Sequence, residues 1–435
     1  MKLGKLSLVA VMALGTSAYA LEDIKVDGEA KLWYQTSEFS GAGAGATTSQ
    51  GFFDKTGNSM ALTALKVGAS AKLLQNVSGA VKVTAVSTLG LENNLVGDVP
   101  AVKMKMNGTA TTVAERVSDQ YWAEVANLKY AQKEFDVAAG RMALQTPLCF
   151  TESWNVVDNT FEAVVAHGYF LPDTILAAAW VGKHNGVGVL GSGRGSTVSY
   201  GGEFGNFAVS GAYAAAVINK SLPDTALQAW YYNVPSVADA YWLQADSKLM
   251  GMISVGAQYA GMMPDSTSTT LGTAVANHRD TNVFALKASG DVAGVNVYAA
   301  YSTVSAGTLG FANVATGDKS MVYTSLGSIY MDGEIAANPD TDTWKIGAST
   351  KMVPGVALSA SYAQAEVGNN GGTAGAAAGA STLNTDFTAW DVVAATKVGM
   401  LDLTAIYTSF DKDVKATNTT DKTTDTLRII ASLKF

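Results

Sequence analysis

Apolar and polar residues alternate most clearly at the C-terminal end of the chain. One face of the segment 426–435 is apolar, and the other carries polar or charged side chains except at Ile430. The apolar face consists of Leu427, Ile429, Ala431, Leu433 and Phe435, and the polar face of Thr426, Arg428, Ser432 and Lys434. A period of two predicts a β-strand, and roughly ten residues are enough for a tilted strand to cross a bilayer.

This terminal strand has two interpretations. It is either an ordinary edge strand of a soluble sheet or the closing strand of a membrane β-barrel. Soluble proteins avoid unprotected apolar edges, whereas a closed barrel has no edge and carries aromatic residues at the membrane interface. We therefore predict that the strand pairs with residues 24–35. Phe435 is then expected at the periplasmic interface, with Arg428 and Lys434 turned toward the lumen.

The same alternation recurs along the chain as paired segments of about ten residues, a typical length for strands that cross the outer membrane. The first segment, 24–35, has Lys25, Asp27, Glu29, Lys31 and Gln35 on one face, together with Trp33. Its other face carries Ile24, Val26, Ala30, Leu32 and Tyr34. This arrangement is typical of a barrel strand with a polar inner face and an apolar outer face.

Short turns alternate with long loops between these segments. Short turns are predicted at 74–76, 131–133, 171–172, 352–355 and 398–399, and long loops at 90–118, 262–280, 305–341, 368–385 and 411–423. This asymmetry places the turns on the periplasmic side and the loops outside, and it requires an even number of strands. We predict an all-β, transmembrane antiparallel β-barrel of about 18 strands, with 16 as the alternative.

The N-terminus indicates export. Lys2 and Lys5 precede the mostly apolar segment 6–15, and small residues at Ala18 and Ala20 suit a cleavage site. These features predict a secretory signal peptide at 1–20, which is too short to span a membrane as a helix. The mature chain from residue 21 to residue 435 is then one outer-membrane barrel, because no Pro-rich or charged linker divides it.

Composition narrows the function classes. Charged residues make up only 15% of the chain, it contains 44 glycines, and its formal net charge is −8. An acidic balance argues against nucleic-acid binding and is compatible with a lumen that prefers cations. Cys149 is the only cysteine, so no internal disulfide can form, and we interpret it as a small buried residue.

The segment near 145–159 is the candidate pore constriction. Pro147 cannot donate to a strand ladder, and the following residues mix apolar anchors with acidic side chains. If this loop folds inward, Glu152 and Asp158 are expected to face Arg141 across the channel, with Arg116 as a weaker candidate. Charged rings at a constriction set ion selectivity. The alternative is a surface loop packed on the rim.

Signals for enzymatic chemistry are weak. The three histidines are far apart and have no metal-ligand spacing, and the glycine-rich segments lack the Lys-Ser/Thr of a phosphate loop. We expect neither an enzyme nor a cofactor. Asp340 with Asp342, or Asp411 with Asp413, offers oxygen ligands for Ca²⁺, but solvated loop carboxylates are the simpler interpretation.

Several short motifs resemble the Campylobacter-type major outer membrane porins. They are the signal peptide at 1–20, GRMALQTP at 140–147, ESWN at 152–155, LQAWYY at 227–232, WLQAD at 242–246, FALK at 284–287 and LRIIASLKF at 427–435. The resemblance implies a barrel of about 18 strands, usually a homotrimer, in the bacterial outer membrane. Such porins pass small hydrophilic solutes with a cation preference, and some members bind calcium.

The sequence thus predicts an outer-membrane porin that allows passive diffusion of ions and small hydrophilic solutes. Its expected partners are outer-membrane lipid, further copies of the chain and the solutes themselves. The alternative is a structural or adhesive barrel that uses its long loops as a surface. An outer-membrane enzyme would require a convergent polar site, which the sequence does not show.

Overall fold

The computed structural model describes residues 22–40, 51–54, 58–102, 119–187, 198–208, 210–266, 268, 278–329, 335–368, 384–415 and 422–435. The predicted signal peptide and Arg116 lie outside these residues. Among the residues described, no helix is long and apolar enough to cross a bilayer.

The described chain forms strands almost throughout. The first nine are β1 (Glu22–Ser40), β2 (Ser59–Leu74), β3 (Val77–Ser87), β4 (Gln120–Ala131), β5 (Phe135–Met142), β6 (Phe161–Leu171), β7 (Thr174–His184), β8 (Gly205–Asn206) and β9 (Ala212–Asn219). They are followed by β10 (Thr225–Val234), β11 (Ala238–Leu249), β12 (Ile253–Pro264), β13 (Thr281–Val292), β14 (Val295–Val304), β15 (Thr341–Thr350), β16 (Val356–Val367), β17 (Thr385–Val398), β18 (Leu401–Val414) and β19 (Lys422–Lys434). Short 3-10 helices occur at Leu91–Asn93 and Tyr200–Gly202.

The strands close into one antiparallel barrel. Each wall strand pairs with its sequence neighbours, and β1 pairs with both β2 and β19. The two-residue β8 pairs only with the last two residues of β7. The rest of β7 pairs directly with β9. The wall therefore has 18 strands, which confirms the predicted all-β barrel and its larger strand number.

The closing pair is the one predicted from the terminal alternation. Its register runs from Glu29 opposite Lys434 to Ser40 opposite Thr423. Two backbone hydrogen bonds fix its end, at 2.7 Å from Gly28 N to Phe435 O and at 3.0 Å from Phe435 N to Gly28 O. Arg428 is buried inside the barrel, while its neighbour Ile429 is exposed outside. The terminal strand is therefore not an edge strand of a soluble sheet.

Short connections and long loops lie at opposite ends of the wall. Tight turns join β2 to β3, β6 to β7 and β13 to β14, and residues such as Asn76 and Asp173 take positive φ there (66° and 51°). Asn and Asp tolerate this conformation because their short polar side chains hydrogen-bond locally. At the other end the connections are long except between β10 and β11. Within the connection between β7 and β9, a 3-10 helix occurs at Tyr200–Gly202.

The faces of the wall differ as expected for a barrel in lipid. On β1, Trp33 is 1% exposed and points inward, whereas its neighbour Leu32 is 40% exposed on the outer face. Long loops enter the barrel and pack on the inner wall, and the buried clusters lie at these contacts. The buried core therefore lies between the loops and the inner wall, so the surfaces that line a channel are formed inside the lumen.

Candidate functional site

The loop between β5 and β6, residues 143–160, lies against the inner wall. It begins with a tight turn in which Thr146 Oγ1 donates to Cys149 O at 2.8 Å, and Gln145 pairs with Phe150. Asn159 then fastens the loop to itself. Its Oδ1 accepts from Glu152 N at 2.7 Å, and its Nδ2 donates to Phe150 O at 3.1 Å. The loop is thus a compact unit stabilised by internal hydrogen bonds.

Glu152 joins this loop to a second long loop, residues 305–340. Its side chain is 3% exposed. The carboxylate accepts hydrogen bonds from Asn313 Nδ2 (2.9 Å), Lys319 N (3.1 Å), Trp154 Nε1 (2.6 Å) and the Thr316 hydroxyl. Since these donors enclose it, Glu152 connects two loops and does not face Arg141 as we expected. Its part in ion selectivity stays a prediction.

Asp158 contacts the lumen side of β2. Its Oδ2 lies 2.8 Å from Lys66 Nζ, which is also 3.7 Å from Glu29 Oε2 on β1. Glu124, a buried residue on β4 that accepts a hydrogen bond from Thr84, interacts electrostatically with the same ammonium. Lys31 adds a second cation, whose Nζ donates to Asn155 O at 2.6 Å.

We call Glu29, Lys31, Lys66, Glu124 and Asp158 the charged cluster. It contains three carboxylates and two ammonium groups, so its formal charge is negative when all are ionised. The side chains of Glu29 and Asp158 are about one-fifth exposed, whereas that of Lys66 is nearly buried. Low exposure strengthens these interactions because the local dielectric constant is lower than that of water. The cluster both holds loop 143–160 to the wall and presents carboxylates to the lumen.

Arg428, on the closing strand β19, contacts the neighbouring strand β1 and both long loops. Its guanidinium donates to Gln35 Oε1 at 2.7 and 3.0 Å, and to Ile329 O at 3.4 Å. The guanidinium carbon lies 4.6 Å from the ring centre of Trp33 and 5.3 Å from that of Trp154. Arginine stacks on aromatic faces while keeping its donors in plane. The alternation pattern gave its inward direction, but the contacts with both loops were not foreseen.

The predicted constriction residue Arg141 lies on the outer face of the wall, not in the lumen. It stands opposite Glu162 in β6, and two positions below Glu162 is the exposed, outward-facing Val164. Arg141 Nε donates to Glu162 Oε1 at 3.0 Å, and Nη1 donates to Ala123 O at 3.0 Å. The expectation that it faces acidic groups across the channel is therefore wrong.

Two strand carboxylates fasten the second loop to the inner wall, Asp246 on β11, across the barrel from the charged cluster, and Asp391 on β17. Asp246 lies 2.6 Å from Lys287 Nζ and accepts from the Tyr323 hydroxyl at 2.9 Å. Asp391 accepts from Ser328 N at 3.1 Å and Ser328 Oγ at 2.9 Å. Burial, together with the neighbouring carboxylate of Asp246, raises the pKa of the Tyr323 phenol, which stays a hydrogen-bond donor. Sequence reasoning missed both anchors, although Asp391 alternates with the exposed Trp390 and Val392.

Packing of the second loop against β10, β11 and β13 is mainly apolar. Trp230, Trp242 and Val283 on the wall are buried with Leu309 and Phe311 of the second loop. Cys149 of the first loop is also buried, in a neighbouring apolar cluster. Burial raises the pKa of its thiol far above the usual range, so it stays protonated and unreactive. We call this region the apolar sector.

The proposed calcium ligands lie at loop ends. Asp342 Oδ1 accepts from the Tyr301 hydroxyl at 3.1 Å, and Asp413 is exposed at the end of β18. Within the parts of the chain that the structure describes, no group of three or more His, Cys, Asp or Glu side chains is arranged to hold a metal ion. Calcium binding stays a prediction.

Comparison with solved structures identifies the architecture. Pseudomonas aeruginosa OccK8 (OprE) aligns with a TM-score of 0.68 at 15% identity, over 96% of this chain and 99% of that one. Acinetobacter baumannii OccAB4 gives 0.66 at 12% identity, over 94% and 98%. The barrel has the fold of a bacterial outer-membrane channel. P. aeruginosa OpdK, solved with vanillate, gives 0.64 at 15% identity, over 95% and 99%.

The neighbours broaden the resemblance seen in the sequence. They are channels of Pseudomonas and Acinetobacter, and they support a general porin-like architecture, not the Campylobacter-type porins in particular. No protein-family model and no curated protein matches the chain.

Proposed function

We propose that the protein is an outer-membrane porin through which ions and small hydrophilic solutes diffuse passively. The closed wall of 18 strands supports this, because a barrel of roughly 16–18 strands is wide enough for an aqueous channel. Its outer face is apolar and its inner face carries polar and charged residues, which suits lipid outside and water inside. The matching solved structures are channels and not enzymes, which favours transport over catalysis.

We further propose that the pore prefers cations. The observation that carries this is the charged cluster beside loop 143–160, in which the carboxylates of Glu29 and Asp158 are partly exposed whereas Lys66 is nearly buried. A single charge about 8 Å from a passing ion changes its energy by about 0.5 kcal/mol in water. Salt at about 0.1 M screens this to roughly half, and because cations and anions are affected in opposite directions, the permeability ratio changes about twofold.

Reversal potentials in planar bilayers test the cation preference. Under a KCl gradient, Asp158→Asn should lower the ratio of cation to anion permeability by about twofold, because it removes one lumen carboxylate. Asp173→Asn, at an exposed short turn, is the matched control and should leave the ratio unchanged. Glu152→Gln should also leave it unchanged, since that carboxylate is enclosed by donors.

The outcomes separate the competing interpretations. A wild-type protein that folds into vesicles but gives no conductance would support a structural or adhesive barrel and reject the porin. Conductance with a shift for Glu152→Gln but none for Asp158→Asn would assign selectivity to the loop–loop junction instead of the charged cluster.

A further inference from the structure

The outer face of the barrel carries an aromatic row near its loop end. It includes the exposed side chains Trp180, Tyr213, Tyr231, Tyr259, Phe284, Tyr301, Trp344, Tyr362 and Trp390. Several are direct partners on neighbouring strands, such as Trp180 with Tyr213 and Tyr301 with Trp344. Aromatic residues of this kind mark the boundary between lipid tails and headgroups. The row therefore fixes the level of the outer interface.

The row stops at Trp180. Its partner on β6 is Val164, and the next partners along β5 and β4 are Ala139 and Leu128. Small and aliphatic side chains thus replace aromatic ones along this row of partners, although Tyr121 near the loop end of β4 is also exposed. Two grooves in the outer wall lie at these smaller residues.

A charged triplet lies just above this interruption. Arg141, Glu162 and Lys183 are partners across β5, β6 and β7. Glu162 is two residues closer to the loop end than Val164, a distance of about 7 Å along a strand. Its carboxylate lies 3.0 Å from Arg141 Nε and 3.8 Å from Lys183 Nζ. The triplet is therefore at headgroup level, with two cations against one carboxylate.

A groove of about 620 Å³ contains the triplet. Trp180, Asn206 and Ser210 also line it. Asn206 belongs to β8, which extends the wall beside Lys183. The groove is open to the outside and mixes donors with an aromatic wall, which suits an anionic group more than an alkyl chain.

An apolar groove of about 580 Å³ continues from the first, and Ala126 lines both. One row of strand partners connects them, from Arg141 through Ala126, Val81 and Ala69 to Val26. Arg141 lies near the loop end of β5 and Val26 near the turn end of β1, so the row descends across the wall. The combined surface has a cationic head and an apolar tail region.

We propose that this face binds one phosphorylated lipid of the outer leaflet, of the lipid A class. Arg141 and Lys183 contact a phosphate, because charge-assisted hydrogen bonds from guanidinium and ammonium groups favour phosphate oxygens. The acyl chains lie along the small residues of the apolar groove. The proposal rests on the outer-membrane location in the proposed function, but not on ion conduction, since these residues face away from the lumen.

Charge favours a lipid over a two-fold contact with a second copy of the chain. A triplet with a net positive charge is complementary to an anionic headgroup, whereas a two-fold contact would bring identical triplets together. Like charges that meet across an interface are unfavourable. Glu162 holds both cations on the surface and at the same time weakens the field that attracts the phosphate.

Native mass spectrometry of the folded barrel with diphosphorylated lipid A tests the proposal. The wild type should retain one lipid, and Arg141→Gln with Lys183→Gln should weaken binding roughly tenfold or more, about 1.4 kcal/mol or more. Glu162→Gln should strengthen it. The control pair, Lys248→Gln with Lys351→Gln, removes two exposed cations near the turn end and should change nothing. Retained heat-modifiable migration on gels shows that each variant folds, and single-channel conductance should match the wild type.

Four results would overturn the proposal. The first is equal lipid A binding by the wild type and the Arg141/Lys183 variant, and the second is equal binding of dephosphorylated lipid A. The third is displacement of lipid A by millimolar inorganic phosphate, which would make the groove a free-anion site. The fourth is efficient disulfide formation between copies of an Ala139→Cys, Cys149→Ser variant in membranes, which would assign the face to a second copy. Loss of conductance in the wild type would instead count against the porin function alone.

Discussion

The charged cluster and the apolar sector hold loops to the same inner wall by different means. At the cluster, two wall lysines hold loop 143–160. Lys66 contacts the carboxylate of Asp158, and Lys31 donates to the backbone oxygen of Asn155. In the apolar sector, Leu309, Phe311 and Val322 of the second loop pack with Trp230 and Trp242. Ion pairs with partly exposed carboxylates tolerate water, whereas an apolar contact excludes it. We infer that solutes pass along the charged cluster while the apolar sector seals the rest of the lumen.

The largest expected effect comes from truncating a buried side chain of the apolar sector. Trp242 is fully buried, and Trp242→Ala should lower the free energy of unfolding by about 3–5 kcal/mol, the usual cost of truncating a buried tryptophan. Urea unfolding followed by tryptophan fluorescence measures the loss. The reversal potential should hardly change, because no charge is removed. A clear shift in selectivity would contradict the division between the two regions.

At the charged cluster we expect a smaller loss of stability together with a change in ion selectivity. Lys66→Gln leaves Glu29, Asp158 and Glu124 without their shared cation, which should cost about 2 kcal/mol, since two of the three carboxylates are only partly buried. The lumen becomes more negative, so cation preference in bilayers should rise about twofold. Lys397→Gln, which removes an exposed ion pair with Asp402, is the matched control. An unchanged cation preference would show that Lys66 does not face the conduction path.

The smallest effect concerns the access of water to the apolar sector, and no change in stability is expected. Burial raises the pKa of the Cys149 thiol well above the working range, so the neutral, unreactive form should persist from pH 7 to pH 9. A maleimide should label the native protein only after unfolding. In a Cys149→Ser background, Ser153→Cys places a thiol on an exposed part of the same loop and should react rapidly. Fast labelling of native Cys149 would mean that the apolar sector is wet.

The sequence was sufficient for the barrel because strand alternation is local. Residues 426–435 and 24–35 show inner and outer faces directly, and their pairing followed from closure. It was insufficient for Arg141, since the neighbouring Ala138, Ala139 and Gly140 provide no contrast between faces. A charged residue is tolerated outside there because it pairs with Glu162 at the strand end.

Contacts between distant loops were also beyond sequence patterns. Glu152 looked like an exposed acidic tip, but its partners Asn313 and Thr316 are more than 160 residues away along the chain. No spacing rule connects such positions. Asp158 contacts Lys66 of the wall and not Arg141, and its effect on selectivity stays a prediction.

The closing pair has a consequence for how the chain assembles. Ser432 donates to Glu29 across a separation of 403 residues, so the contact that removes both edges joins the two ends of the polypeptide. Loop closure over such a distance is slow and entropically costly. Until the final strand arrives, β1 and β18 present unpaired backbone groups that invite aggregation. The barrel therefore stays open, with both edges exposed, until β19 has been synthesised and has paired with β1.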